Sequence, residues 1–592
     1  MKIIEIIREV VAEFTLGKEF AVEHPADEKM GDFSTNAAMV LAKELGRNPR
    51  ELAVDLVGKL EGNKKLRELV EKIEPAGPGF INFWVKDEVL IKKIDEALAA
   101  KEKLGDSDFM KGKKVLVEYS SPNIAKRFSV GHLRSTIIGQ AIFNLYKHSG
   151  AEVTNDNHLG DWGTQFGMII AAIEEDENFD WNSADINKLE EIYVDFNKRM
   201  EEDPELRTKA KEAFLRLEKG DASARSIWQK SVDISMKEFD EIYKKLNVDF
   251  ENTLGESEYE SLMPEIIEEA KNKKIASVGE EGALIVEFLD ERGKELMPPA
   301  MLVKSDGSTT YFTRDLATVK MRLSNPELKS DVYVYEVGGE QRLHLKQVFV
   351  TANKLWPEET RIVQFVHVAH GRMTNEGQAM STRKGNTIKL EDLLGRSKNE
   401  SIGKMINVKS FDGEEEMVET EKVFKGMKMS EVQDISEKIS IGAVKYNDLK
   451  RSPGMDYDFR WDEAMSMDGN SAPYLQYVYV RTRGILNKSG EKIDKVMSDN
   501  KEFTNDDERN LARWLLLRFA EGEVVESAAK NFAPQQLCAY LFETAQKFNG
   551  FYERNKVIGV KNQSLRLSLT LLVGEVIKKG LEIIGIETVE KM

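Results

Sequence analysis

The residues best placed to do chemistry lie in the run SSPNIAKRFSVGHLRST, from Ser120 to Thr136. Gly131 would let a phosphate-bearing ligand approach the backbone, because no Cβ stands in the way. His132 follows where a helical pattern begins, and free N–H groups and the helix dipole favour anions at such an end. An imidazole there can donate to phosphate oxygens as charge builds on them. One Gly-His pair after a strand could be a chance loop; seventeen residues in a strand–loop–helix context are a stronger signal. A second concentration is NHLGDWGTQFG, Asn157 to Gly167, where Gly160 and Asp161 sit in a tight glycine-rich turn. A third is AMSTRKGNTI, Ala379 to Ile388, in which Arg383 and Lys384 supply cations and Gly385 supplies flexibility. Further polar groups are dispersed. TTYFTRDLA spaces Tyr311 and Asp315 four apart, on one face if helical, GGEQRLHLKQ offers Gln341 and His344, and VEYSSPN offers Glu118 and Asn123.

These groups need a frame. KVLVEYS, Lys114 to Ser120, is a short apolar strand pattern. A loop and then a helix pattern from about Gly131 follow it, which together read as the first unit of a parallel nucleotide-binding sheet. Strand-like runs return at ALIVEFL, VYVYEVG and IVQFVHVAHG and are expected to complete that sheet. Between them, residues 175–280 are helical in pattern and strongly charged, and read as an insertion packed on the sheet. The expected organisation is an α/β chain of four parts. An α+β N-terminal domain spans 1–105, ending near the strand-like GPGFINFWV and a charged connector. A Rossmann-like domain spans 112–390, a helical connecting segment 391–468, and an all-helical segment with heptad-like aromatics 469–592.

Composition narrows the function classes. With 41% hydrophobic and 32% charged residues the chain has a soluble globular balance. No run approaches the roughly 18 apolar residues of a membrane helix. The N-terminus MKIIEIIREVVAEF is amphipathic, carries acids and lacks the features of a signal peptide, so a cytoplasmic location is expected. One cysteine, Cys538, excludes a disulfide framework and a cysteine metal cluster, and no structural metal is expected. The net charge of −18 argues against a nucleic-acid partner only if it is spread evenly. It is not: Asn470 to Met592 holds 18 Lys+Arg against 16 Asp+Glu, so the C-terminal part is comparatively basic.

The Ser120–Thr136 run resembles the HIGH signature of class I aminoacyl-tRNA synthetases in its arginyl form, SPNIAKPFHVGHLRST. Ser129 stands where the first His is usual, and Arg127 replaces a common Pro. NHLGDWGTQFG is similar to the arginyl-family stretch after the first crossover helix. AMSTRKGNTI resembles the KMSKS loop, with Ala379 and Thr382 at its lysine positions. GDFSTNAAMVLAKELGRNPRELA and AGPGFINF resemble the N-terminal domain appended to arginyl enzymes, which contacts the tRNA elbow. GNSAPYLQYVYVRTR and YLFETAQKFNGFYERNK resemble the helical anticodon-binding domain. The likeness spans nearly the whole chain and is weakest in the acidic insertion and from Val408 to Val432.

The resemblance implies activation of L-arginine with ATP and Mg²⁺, transfer to tRNA(Arg), no membrane partner and a monomer. His132, Ser129, Gly131, Gly160, Asp161, His367, Met380 and Ser381 would surround the nucleotide. A guanidinium asks for planar, bidentate acceptors, and by the likeness Asp315 with Tyr311 would hold it. Asn123 and Gln341 would take the amine and carboxylate ends, with Glu118 and His132 in the same site. With the loop lysines missing, Lys126, three residues before Ser129, is expected to stabilise the triphosphate, assisted by Arg383 and Lys384. Phe33, Asn36, Tyr474, Gln476, Tyr477, Asn549 and Tyr552 are the candidates for RNA contact, since aromatic and amide side chains beside cations suit unstacked bases. Two rivals stay open on the residues alone: an adenylyltransferase for a small metabolite, and an RNA-binding protein with a decayed site.

Overall fold

The computed structural model describes residues 2–279, 282–375, 378–379, 395, 398–399, 427–491 and 502–592. At the N-terminus, α1 (Ile3–Ala12) turns Ile3, Ile7, Val10 and Val11 inward at helical spacing. Helices α2 (Ala37–Leu45), α3 (Pro49–Glu61) and α4 (Lys64–Leu69) accompany it. The Asn48 side chain caps the N–H groups of Arg50 and Glu51, and Pro49 fills a first-turn position where no N–H donor is needed. The strands β1 (Val22–Glu23), β2 (Phe33–Thr35), β3 (Val70–Ala76) and β4 (Phe80–Val85) form an antiparallel sheet in the order β1-β2-β4-β3. GPGFINFWV supplies β4, and α5 (Asp87–Ala100) leads out of this unit.

The central sheet is parallel throughout, in the order β11-β10-β5-β6. Its strands are β5 (Lys114–Glu118), β6 (Glu152–Asp156), β10 (Val332–Gly338) and β11 (Gln364–His370). The chain leaves β5 through α6 (Val130–His148) toward β6 and later returns to the other side of β5. The carboxyl ends of β5 and β10 therefore flank the topological switch point, where ligands of open α/β sheets bind. Gly139 lets α6 lie close to the sheet, because a Cβ there would meet the Tyr119 side chain at 2.1 Å.

One expected strand lies elsewhere. ALIVEFL forms β8 (Leu284–Leu289) of a separate antiparallel sheet with β7 (Ala276–Val278) and β9 (Glu295–Val303). Its burial alternates along the strand, as one-sided antiparallel strands require, whereas β10 is buried on both faces. The strand that completes the parallel sheet is the polar EVTND of β6. Helices α7 (Thr164–Glu175), α8 (Ile186–Glu202), α9 (Pro204–Glu218), α10 (Ala222–Leu246) and α11 (Met263–Asn272) precede that antiparallel sheet. Helices α12 (Tyr311–Ser324), α13 (Arg342–Leu355) and the short α14 (Pro357–Thr360) flank β10 and β11.

Beyond β11 come β12 (Met373–Asn375) and β13 (Gln378–Ala379), and β12 pairs in parallel with β14 (Tyr457–Phe459). The rest is helical: α15 (Met429–Leu449), α16 (Trp461–Ala464), α17 (Ala472–Ser489), α18 (Asp506–Trp514), α19 (Glu523–Lys530), α20 (Pro534–Arg554) and α21 (Gln563–Ile583). The N-terminal unit docks on this bundle through the fully buried Asp32. Its carboxylate accepts from Arg509 at 2.9 Å, lies 2.8 Å from Nε of Arg513 and also accepts the Val85 N–H.

Candidate active site

A cavity of about 770 Å³ opens at the switch point. Glu118, Ser120, Ser121 and Asn123 come from the end of β5 and its loop; Ser129, Gly131 and His132 from the start of α6; Gly160, His158 and Glu256 from the loops beside them. Tyr311 and Asp315 project from the first turns of α12. Gly338, Glu340, Gln341 and His344 border the cavity at the end of β10 and the start of α13, and His370 closes β11. Gly160 is required by contact: a Cβ there would lie 2.5 Å from Oδ1 of Asn123, to whose backbone it is bridged.

At the phosphate-binding end, Ser129 caps α6. Its hydroxyl accepts from the His132 N–H, and Nδ1 of His132 accepts from the Ser129 N–H at 3.1 Å. That reciprocal bond leaves the proton of neutral His132 on Nε2, the nitrogen free to donate outward. Burial, with positive charge from Lys126 and His370, pushes its pKa down to about 4, so His132 is a neutral donor. Lys126 does not line the cavity. Its ammonium sits 4.8 Å over the ring of Tyr193 on α8, close enough to bear on His132 but held toward the insertion. Arg127 pairs with Glu190 one turn earlier on the same helix. The arginine that replaces a common proline thus ties the loop to the acidic insertion.

At the other end, Asp315 accepts from His344, and Tyr311 is exposed with the Arg314 guanidinium 4.5 Å from its ring. Glu118 is engaged differently from the expectation. With Asp156 it grips Arg322 of α12, at 2.5 and 2.7 Å, and all three are buried. Its charge is spent on a protein guanidinium, and what it contributes is the placement of α12. Glu256, which the sequence did not single out, faces the same space as Asp315 and lies 3.2 Å from Arg314. Burial raises its carboxyl to about 7 despite that arginine. One acid in the run GESEYES carries no spacing signal among 103 acidic residues. His158 and His370 were likewise missed as cavity residues; the latter is the second-last residue of a run read only as a strand.

Two expected nucleotide contacts lie off the cavity. Asp161 is buried and accepts from the N–H and hydroxyl of Ser257 at 3.0 and 2.6 Å, which fixes the loop carrying Glu256. His367 faces the opposite side of β11, in a shallower cleft with Arg342, Lys346 and Phe349, and shares a hydrogen bond with the Val337 carbonyl at 3.2 Å. Met380, Ser381, Arg383 and Lys384 lie outside the described residues.

The RNA-contact candidates divide. Phe33 is in the N-terminal core, stacked near His24, and Asn36 accepts the Ala21 N–H. Gln476 is fully buried and donates to the Glu587 carbonyl at 2.7 Å; Tyr474 is buried and accepts from Asn549 at 2.8 Å. All four are engaged within the protein, by core packing or by the hydrogen bonds just named. Tyr477 is exposed, and Arg481 lies over the ring of the half-buried Tyr552 at 4.7 Å while donating to Asn549. Tyr477 and Tyr552 keep accessible surface, while both ends of the half-buried Asn549 amide are engaged by Arg481 and Tyr474.

A parallel sheet with a helix-end anion site at its switch point, a histidine in the first helical turn and an appended helical bundle define a class I aminoacyl-tRNA synthetase. Residues 93–461 match the catalytic domain described as tRNA synthetases class I (R). Residues 475–592 match the DALR anticodon binding domain and residues 1–85 the arginyl tRNA synthetase N-terminal domain. An arginine–tRNA ligase of Pectobacterium atrosepticum is 36% identical over 582 residues, covering 97% of this chain and 96% of its own. That of Haemophilus influenzae is 37% identical over 577 residues, covering 95% and 94%. Among solved structures, arginyl-tRNA synthetase from Plasmodium falciparum has a TM-score of 0.79 at 26% identity, covering 100% of this chain and 98% of that one. The chain belongs to the arginyl-tRNA synthetase family.

Proposed function

We propose that the chain activates L-arginine with MgATP and transfers it to the 3′-terminal adenosine of tRNA(Arg), releasing AMP and pyrophosphate. The observation that carries this reading is one cavity holding two unlike ends. One end offers a helix N-terminus with a neutral imidazole donor, suited to phosphates. The other offers two carboxylates, Asp315 and Glu256, beside an exposed tyrosine, suited to a guanidinium. An adenylyltransferase for a small metabolite has no need of the N-terminal and helical C-terminal units.

In the first step an arginine carboxylate oxygen attacks the α-phosphorus, the bond to the bridging oxygen breaks, and its electron pair leaves on pyrophosphate. In the second, the terminal ribose hydroxyl attacks the activated carbonyl and AMP departs. Little protein acid–base work is required, so positioning and charge stabilisation do most of it. Mg²⁺ enters with the nucleotide. Phosphate oxygens, with water, would supply its ligands. Asn123 and Gln341, which both line the cavity, are the residues for the α-amino and carboxylate groups. Tyr477 and Tyr552 are the accessible candidates for anticodon contact, with Asn549 holding Arg481 beside them.

Pyrophosphate exchange measured with each amino acid, with and without tRNA, tests the reading. Arginine alone should support exchange, and lysine should fail because a point charge does not satisfy a planar fork of acceptors. Exchange with another amino acid, or with none, would refute it.

A further inference from the structure

Ser129 is a neutral residue at the start of α6, where its hydroxyl oxygen accepts the His132 N–H. His132 is neutral, and Lys126 is drawn to Tyr193. Leaving-group charge is stabilised by a donor with full positive character on the cavity side of the sheet. His370 has the position for it. It ends β11, lines the cavity with Ser129, Gly131 and His132, and places Nδ1 2.9 Å from Oε1 of Glu336. The Glu336 carboxylate is completely buried on the neighbouring strand β10, and its second oxygen has no hydrogen-bond partner among the described residues. A buried carboxylate fixed to one ring nitrogen sets the ring's orientation and leaves Nε2 for a ligand.

We propose that His370, seated on Glu336 and facing the cavity beside His132, is a further catalytic residue: its Nε2–H stabilises the phosphate oxygens as the α–β bridge breaks. This rests on the reading of the cavity as an ATP and arginine site. No proton is transferred; the bond to pyrophosphate breaks with its electron pair on the leaving oxygen, and the imidazolium donates a charge-assisted hydrogen bond. Charge on the ring follows from its surroundings. Burial opposes protonation, but Glu336 outweighs it and holds the pKa above the ordinary histidine value. The other charged groups bearing on the ring are Arg134 from α6 and Asp448 from α15, and its titratable neighbours are His132 of α6 and His367 on its own strand, both held toward the neutral form by burial. Arg134 and Asp448 pair with each other at 3.2 Å and largely cancel.

The test is tRNA-dependent pyrophosphate exchange as a function of pH in the full-length protein. His370→Asn should lower kcat by about a hundredfold while the KM for ATP moves by less than about threefold. The wild-type rate should fall as pH rises through the His370 pKa, and that alkaline limb should vanish in His370→Asn. Glu336→Gln should keep the limb but shift it to lower pH, because the neutral amide no longer holds the proton. Ser129→His in the His370→Asn background should recover part of the rate. An alkaline limb that persists unchanged in His370→Asn, or a His370→Asn rate within about threefold of wild type, would overturn the proposal. If His370→Asn does not fold, a Glu336→Gln profile identical to wild type would overturn it equally. Arginine-dependent exchange by the wild-type protein stands apart from these outcomes: its absence would refute the reading of the reaction, not the role of His370.

Discussion

Burial holds the Glu256 carboxyl at about 7 although Arg314 lies 3.2 Å away. A guanidinium binds the ionised form, so below that pH arginine must displace a proton before it can pair. Arginine affinity should therefore rise with pH up to about 7 and level off above it, where the carboxylate is already formed. In Glu256→Gln the KM for arginine should be higher and flat between roughly pH 6 and 8. A slope that survives the substitution would assign the titration to another group. Asp315→Ala should raise the same KM by at least roughly tenfold, since a charge-assisted contact is worth about 1.5–3 kcal/mol; a change within twofold would remove Asp315 from the pocket. His132→Gln should lower the exchange rate by about a hundredfold, the usual cost of one transition-state donor. At this scale the sequence was legible where residues cluster. Ser129, Gly131, His132, Tyr311, Asp315 and Gln341 meet in one cavity. Glu118 lines it while gripping Arg322, and Asp161 sits beside it holding Ser257, roles that spacing cannot separate from ligand contact. Glu256 comes from a distant loop with no motif of its own.

The loop after β5 is strained. Ser120, Ser121 and Ala125 have φ of 73°, 46° and 59°, the left-handed region that non-glycine residues rarely occupy. Helix α10 holds it there: the Ser120 hydroxyl is 2.8 Å from that of Tyr243, and the Ala125 N–H donates to Ser235. Lys445 of α15, buried, donates to the carbonyl of Leu246 at the end of α10 and to that of Gly585 at 2.6 Å. The insertion is thus a brace between the substrate loop and the helical bundle. Tyr243→Phe should raise the KM for arginine, through Asn123, and lower stability by about 1–3 kcal/mol from the unsatisfied buried partners Ser120 and Asn157. Steady-state kinetics with denaturant unfolding would read both; unchanged KM would deny the brace a functional role. The sequence showed α10 only as charged helix, because its inward Ser and Tyr residues look like ordinary polar positions until the loop is packed against them. ALIVEFL was misassigned to the parallel sheet for a related reason. A short apolar run fits a two-sided and a one-sided strand equally, and only the pairing distinguishes them.

Across the whole molecule, the N-terminal unit and the bundle are clamped by Asp32 with Arg509 and Arg513, reinforced by Lys93 with Glu521 at 2.8 Å and Lys2 with Glu526 at 2.7 Å. Asp32→Ala leaves the buried Arg513 without its carboxylate and the half-buried Arg509 with Asp87 alone, and should destabilise the docked arrangement by about 3–5 kcal/mol. Limited proteolysis should then release the N-terminal unit, and the KM for tRNA should rise while that for arginine stays near wild type; intact resistance to protease would contradict the clamp. Shifts in texture along the chain suggest four parts, but nothing in the sequence points to this clamp, since its partners are 477 residues apart. The central claim is that one chain joins arginine to RNA, and it is tested most directly by charging. The purified protein should be incubated with ATP, Mg²⁺, total tRNA and each labelled amino acid in turn. Arginine alone should become acid-precipitable, in an ester that mild base releases and that fails to form on tRNA oxidised at its terminal ribose. Labelling by another amino acid, or none by arginine while ATP and arginine both bind, would contradict the account.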